Sequence, residues 1–357
     1  HLGPQGCTGC PVEMGCAPRR EPSCFSPGSD DWQRGGRDAE HPLTMLPSVA
    51  PAAPSCLNGG MATAFSLNGI RLLDFTFVPR ATMAVQSYPG SAWRGAFGHA
   101  LKRMVCAMRL RPCDGCPLSA VCLYPSFFGA GEASESGRPY ILCPDRAPRD
   151  GLLRTGRPFR LRMTLLPAAA AAGPYAVRAV LSAAENGLTA RRVPLDCVDI
   201  RDGTTGFPID PSGRLPEAAD QVCPPAPRAI RLRFTTPLRL RLRGDLVTAR
   251  SLSPQHLVAA SSRRLRLLGL DLPQASSAAP TATSEQLRFD DPRLGWLETT
   301  RFSGRQNSAM QLGGIVGEAK LDLTPARQLW PLLWAASILH LGKGASMGFG
   351  RIEVEAL

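Results

Sequence analysis

The residues best suited to chemistry lie between Tyr88 and Arg103. Trp93, Phe97, Ala100, Leu101 and Met104 recur at helical spacing, so a helix is expected over Ala92–Met108 with Ser91 as its N-cap. At about 100° per residue, His99, Lys102 and Arg103 fall on the face opposite that apolar stripe. An imidazole beside two cations can move a proton next to a bound phosphate, and Tyr88 just upstream is a possible helper. The competing interpretation is a solvated surface histidine. His340 lies eleven residues beyond Leu329, on the apolar face of the last helix, where packing or capping is expected. His256 falls in a first helical turn without a cationic neighbour.

Two further groups stand out. Cys106, Cys113, Cys116 and Cys122 form a compact C-x6-C-x2-C-x5-C set whose central pair has metal-knuckle spacing. A structural Zn²⁺ closing an apolar-poor loop is the expectation, and an iron–sulfur cluster on the same ligands is the alternative. The other group is Gly342-Lys343-Gly344-Ala345-Ser346-Met347-Gly348-Phe349-Gly350-Arg351, between an apolar helix and a short strand. Its glycines let the backbone present N–H groups to phosphate, with Lys343 and Arg351 adding charge. A tight helix-to-strand connection would need the same glycines.

The elements that must position these groups follow from the pattern. Strands are expected over Phe65–Val78 and Phe159–Leu165, a helix over Pro174–Glu185, and a strand through Val193, Leu195 and Val198. Residues 203–227 are rich in Pro, Gly and Asp and mark a domain boundary. Beyond it, Ile230–Phe234 and Leu238–Arg243 alternate apolar residues with arginine and are expected to be two strands with basic faces. A helix capped by Ser253 and Pro254 brings Arg263, Arg264 and Arg266, which are expected to add basic surface. Strands over Gly295–Phe302 and Met310–Leu323, joined by a polar turn at Ser303–Asn307, lead to the last helix. Each half therefore reads βαββαβ, which gives an α+β fold with domains at 61–222 and 223–357.

Composition narrows the partner. The chain has 357 residues, of which 41 are Lys or Arg against 29 Asp or Glu, for a net charge of +12. Only Lys102, Lys320 and Lys343 are lysines, and arginine forks onto phosphate and stacks on bases, so a polyanion partner is expected. A GC-rich genome would also raise arginine content. Residues 1–60 are Pro-, Gly-, Ser- and Cys-rich and acidic, and are expected to be a disordered or mis-extended leader. Cys7, Cys10, Cys16 and Cys24 there could hold a metal. No apolar run reaches the length of a membrane span and no signal peptide is visible, so no membrane partner and a cytoplasmic location are expected.

Several motifs agree on a family. Trp93-Arg94-Gly95-Ala96-Phe97-Gly98-His99-Ala100-Leu101, the cysteine set ending in Cys122-Leu123-Tyr124, and Arg305-Gln306 through Gly313-Gly314-Ile315-Val316-Gly317 are three of them. Together with His340-Leu341-Gly342-Lys343-Gly344 through Gly348-Phe349-Gly350-Arg351, they resemble the CRISPR-associated RAMP endoribonucleases that process precursor CRISPR RNA. The resemblance covers 61–357. It implies tandem ferredoxin-like (RRM-like) domains with a cysteine-rich insertion and a C-terminal glycine-rich loop. It also implies binding of CRISPR repeat or guide RNA and partnership with other CRISPR effector subunits. Cleavage would proceed without a catalytic metal, by attack of the RNA's own 2′-hydroxyl, leaving a cyclic phosphate. The residues it singles out for proton transfer are His99, with Tyr88 and Lys102 or Arg103 as helpers and His340 as competitor. Those for RNA are Arg94, Arg103, Arg305, Gln306, Gly342, Lys343, Gly344, Ser346, Gly348 and Arg351. The alternative is a non-catalytic guide-RNA-binding RAMP subunit of an effector complex, and a zinc-stabilised scaffold protein without an RNA role is a third reading. Glu185-Asn186-Gly187-Leu188-Thr189-Ala190-Arg191-Arg192 departs from the family, being glycine-poor where many relatives carry a second glycine-rich element, though Arg191 and Arg192 could serve an RNA path over the first domain.

Overall fold

Both halves of the chain build a four-stranded antiparallel sheet from the same run of elements. In the first, β1 (Arg71–Pro79), α1 (Gly90–Val105), β2 (Tyr140–Pro144), β3 (Phe159–Leu165), α3 (Gly173–Glu185) and β4 (Leu195–Asp202) give the strand order β2-β3-β1-β4. A short helix, α2 (Leu123–Phe128), lies in the insertion between α1 and β2. In the second, β5 (Ala229–Leu238), α4 (Pro254–Leu267), β6 (Phe289–Leu297), β7 (Gly314–Asp322), α5 (Trp330–Leu339) and β8 (Ile352–Ala356) give β6-β7-β5-β8. The two orders are equivalent, and each is the βαββαβ arrangement expected from the pattern. The computed structural model describes residues 65–109, 111–129, 137–188, 191–210, 215–242, 244–273, 284–303 and 308–357. The leader 1–60, with Cys7, Cys10, Cys16 and Cys24, and Arg243, Arg305 and Gln306 lie outside them.

Alternation places the core. On β1, Leu73, Phe75 and Phe77 are fully buried and meet Trp93, Phe97, Ala100 and Leu101 of α1. Truncating a buried aromatic of this kind costs roughly 3–5 kcal/mol, so α1 is held firmly on its sheet. Met104, expected in the stripe, is 38% exposed, because the helix ends one residue later with Cys106 as C-cap. The second core gathers Ile230, Leu232 and Phe234 of β5, Leu257 and Leu265 of α4, and Leu332, Leu333 and Ala336 of α5.

Several strands differ from expectation: Leu238–Arg243 is reduced to Arg241–Leu242, paired with Asp245–Leu246, and Gly295–Phe302 is divided between Phe289–Leu297 and Thr300–Ser303. Tyr140–Pro144 carries no alternation because every residue in it is buried. The break expected at Thr235-Thr236-Pro237 does not occur, and Ala229–Leu238 is one strand. Its register to β7 shifts between Ile315 and Gly317, at the level where Pro237 has no N–H to offer. Among the described residues, no helix is long and apolar enough to cross a membrane.

Candidate functional site

Helices α1 and α3 share one core, and a cleft of about 870 Å³ opens between them. The segment Ala84–Gln86 with Pro89 closes one side and the turn after α3 closes another. His99 and Arg103, one helical turn apart, are exposed on the α1 wall. Gln86, Ser91, Asn186 and Arg192 complete the polar lining, and none of the residues lining the cleft is acidic. Arg192 reaches the cleft because the chain turns sharply there, with φ 78° at Gly187 and φ 48° at Arg192 itself. The arrangement can hold a phosphate between guanidinium groups and move a proton beside it through the imidazole.

The other residues singled out near His99 go elsewhere. Lys102 sets its ammonium 5.6 Å over the Tyr124 ring, on the side facing the insertion. Tyr88 is 4% exposed, donates to Cys143 Sγ at 3.8 Å, and packs its ring at a tilt against Phe349. Burial holds the Tyr88 hydroxyl well above its ordinary pKa. Arg94 is half-buried beside the Tyr140 hydroxyl, whose pKa burial pushes up to about 12. Sequence reasoning missed Gln86 and Asn186, and the cation that a helical turn from His99 does supply is Arg103.

The glycine-rich loop divides into two parts. Gly342 and Lys343 stay at the surface, with Gly342 bridged to Arg239 in parallel. From Gly344 to Gly350 every residue is buried. A single turn, Ala345–Met347, seats against β2 and the start of α1. A Cβ on Gly348 would stand 2.0 Å from the Tyr88 hydroxyl and 2.7 Å from the Leu142 carbonyl, and one on Gly90 would stand 2.0 Å from the Met347 carbonyl. Thr236 Oγ1 donates to the Gly348 carbonyl at 2.8 Å and accepts from the Arg351 N–H at 2.9 Å. The loop is therefore the joint between the two sheets' domains. Gly344, Ser346 and Gly348 lie inside that joint, while Arg351 sits at its edge, 3.0 Å from Glu353 and 3.9 Å from Cys143 Sγ.

His340 caps α5 with φ 53° and is 4% exposed. Its Nδ1 lies 3.2 Å from the Phe349 carbonyl, which assigns the proton to Nδ1. Burial, with the charges of Arg351 and Arg264 nearby, drives its pKa down to about 3. A neutral, sealed imidazole secures the loop and is not placed for proton transfer to a ligand.

Other expected basic surface is altered by tertiary pairing. Arg231 meets Glu355 at 3.0 Å, and Arg233 lies 3.5 Å from Glu355 and 3.8 Å from Glu318, so this face of β5 is charge-balanced. Arg264, expected at the surface, is 3% exposed. The four cysteines of the insertion are free and half-buried. Among the described residues no three His, Cys, Asp or Glu side chains stand close enough to share a metal ion, so the ligand geometry is not assembled.

Comparison with known proteins bears on the second half first. Residues 232–352 match the family model described as CRISPR-associated endoribonuclease Cas6. The chain's second half thus carries a Cas6-type domain. Residues 67–215 match a family model described as an N-terminal domain. Among solved structures, the chain is similar to a Cas6 product complex with a TM-score of 0.53 and 19% identity, over 81% of this chain and 100% of that one. Cas6 from Thermus thermophilus gives 0.50 and 16%, over 82% and 100%. A partial Cas6-RT-Cas1–Cas2 complex gives 0.50 and 13%, over 82% of this chain and 47% of that one. At these identities the likeness is one of fold. No curated protein matches the chain.

Proposed function

We propose that this protein is an endoribonuclease that binds CRISPR repeat RNA and cuts precursor CRISPR RNA to release guide RNA, using the cleft between α1 and α3. The observation that carries this reading is His99, exposed in a cleft whose charged lining is Arg103 and Arg192 and contains no carboxylate. His99 takes the proton from the 2′-hydroxyl of the nucleotide before the cut. That oxygen attacks the adjacent phosphorus, the bond from phosphorus to the 5′-oxygen breaks, and the leaving oxygen takes a proton from water. The products are a 2′,3′-cyclic phosphate and a free 5′-hydroxyl. The guanidinium groups of Arg103 and Arg192 stabilise the charge that builds on phosphorus-bound oxygen. Lys343 and Gly342 extend the RNA contact on the second domain. Product held there would pass to other CRISPR effector subunits in the cytoplasm.

Incubation of the full chain with repeat RNA in excess EDTA tests this directly. The expected result is site-specific cleavage with a cyclic-phosphate end. Tight binding without cleavage would instead identify a guide-RNA-binding subunit.

A structural Zn²⁺ on Cys106, Cys113, Cys116 and Cys122 is part of the proposal and requires the insertion to rearrange, because these thiols do not converge as the described residues stand. Its support is that, between residues 111 and 121, Cys113 and Cys116 alone withdraw from full exposure. Four thiolates converging on an ion would close a segment that buries too little apolar surface to close itself. Metal analysis of the purified protein should find about one equivalent, and less than about half an equivalent removes the ligand assignment.

A further inference from the structure

Arg264 is a buried cation with an incomplete set of partners. Its side chain is 3% exposed, its Nε donates to the Leu339 carbonyl at 3.1 Å, and both terminal guanidinium nitrogens have no hydrogen-bond partner. Desolvation lowers its pKa to about 10, so it is charged at neutral pH. A buried charge without a counter-ion destabilises a fold unless something supplies the missing charge.

The surroundings show from which side that charge can come. Arg264 lines a second cleft, of about 550 Å³, between α4, the segment after β5 and the exposed start of the glycine-rich loop. Arg239, Arg241, Arg263 and Lys343 line the same cleft, and no Asp or Glu does. Leu240 and Val247, both buried, help wall it, which strengthens electrostatics inside. His340, the neighbour on the protein side, is neutral and offers no compensation.

We propose that this cleft on the second domain holds a phosphate group of the bound RNA, with Arg264 forking onto it from below and Arg263 and Lys343 closing over it. The site is separate from the His99 cleft and positions the RNA backbone without taking part in bond breaking. It rests only on the RNA-binding part of the proposed function. A free phosphate would satisfy the same chemistry, so the test separates the two sources.

Affinity for repeat RNA is measured by fluorescence anisotropy across a salt series for the full chain, Arg264→Met, and the rim variant Arg263→Ala/Lys343→Ala. Arg264→Met is expected to bind about tenfold or more weakly, with a salt slope smaller by roughly 0.7, the value for one phosphate on a single strand. Its melting temperature should be unchanged or higher, because methionine removes an uncompensated charge. The rim variant, changed only at exposed positions, should also lose affinity and slope. Unchanged affinity and slope in both variants overturn the proposal. So does a melting temperature that rises with inorganic phosphate in the unmodified protein but not in Arg264→Met, if RNA affinity is the same in the two. Because binding is read without cleavage, loss of affinity in a protein that cuts nothing supports this site while removing the endoribonuclease reading. Cleavage with unchanged affinity in both variants does the reverse.

Discussion

Replacing His99 by alanine should slow cleavage of repeat RNA by roughly 10²–10⁴-fold while leaving its affinity within about twofold. The range is that of a general base whose loss leaves the electrostatic part of catalysis in place. His99 is exposed on α1, so its removal opens no cavity and leaves the Trp93, Phe97 and Leu101 packing beneath it untouched. The fold should therefore survive, and a melting temperature within about a degree of the parent would confirm that the loss is chemical. Single-turnover rates with saturating protein separate the chemical step from binding. Two controls sharpen the result. Arg192→Ala, in the same cleft, should also slow the step. Lys102→Ala, whose ammonium faces Tyr124 outside the cleft, should not. Undiminished cleavage by His99→Ala would move the proton transfer out of this cleft altogether.

Gly348→Ala should lower the melting temperature by roughly 5–10 °C, a large effect for one methyl group. Alanine at φ 81° carries backbone strain of order 1–3 kcal/mol. Its Cβ would also overlap the Tyr88 hydroxyl at 2.0 Å and crowd the Leu142 carbonyl at 2.7 Å, adding about 1–3 kcal/mol of overpacking. Against a total stability of about 5–15 kcal/mol this loosens the joint between the domains. Tyr88→Phe removes one of the two clashing groups, so the double variant should recover part of the loss, by more than about 0.5 kcal/mol beyond additivity. Lys343→Ala, five residues away on the exposed part of the loop, should leave stability within about 0.5 kcal/mol. Equal stability of Gly348→Ala and the parent would show that the loop does not join the domains in solution.

Periodicity carried the architecture well. The helical spacing of Trp93, Phe97 and Leu101, the alternation of Phe159–Leu165, and the Ser253-Pro254 helix start each appear where the residues place them, because each element has one buried face. His256 even completes a capping box with Ser253, a role its position in the first turn allows. The strand Tyr140–Pro144 was hidden because burial on both faces erases alternation. Its outer face is covered by the glycine-rich loop, an element more than two hundred residues away, and no local signal announces that contact.

The sequence by itself determined the paired βαββαβ sheets, the helix that carries His99, and the excess of positive charge that points toward a polyanion, since these depend on spacing and charge within short segments. Tertiary structure decided which polar residues remain available. It kept His99 and Arg103 in an open cleft with Arg192, drew Tyr88 and His340 into the domain joint, and balanced Arg231 and Arg233 with glutamates. It also sank Arg264 beneath a cleft and turned most of the glycine-rich loop inward. The physical reason is the same in each case. Availability for a ligand depends on burial and on partners distant in sequence, and neither is a property of residue type or local spacing.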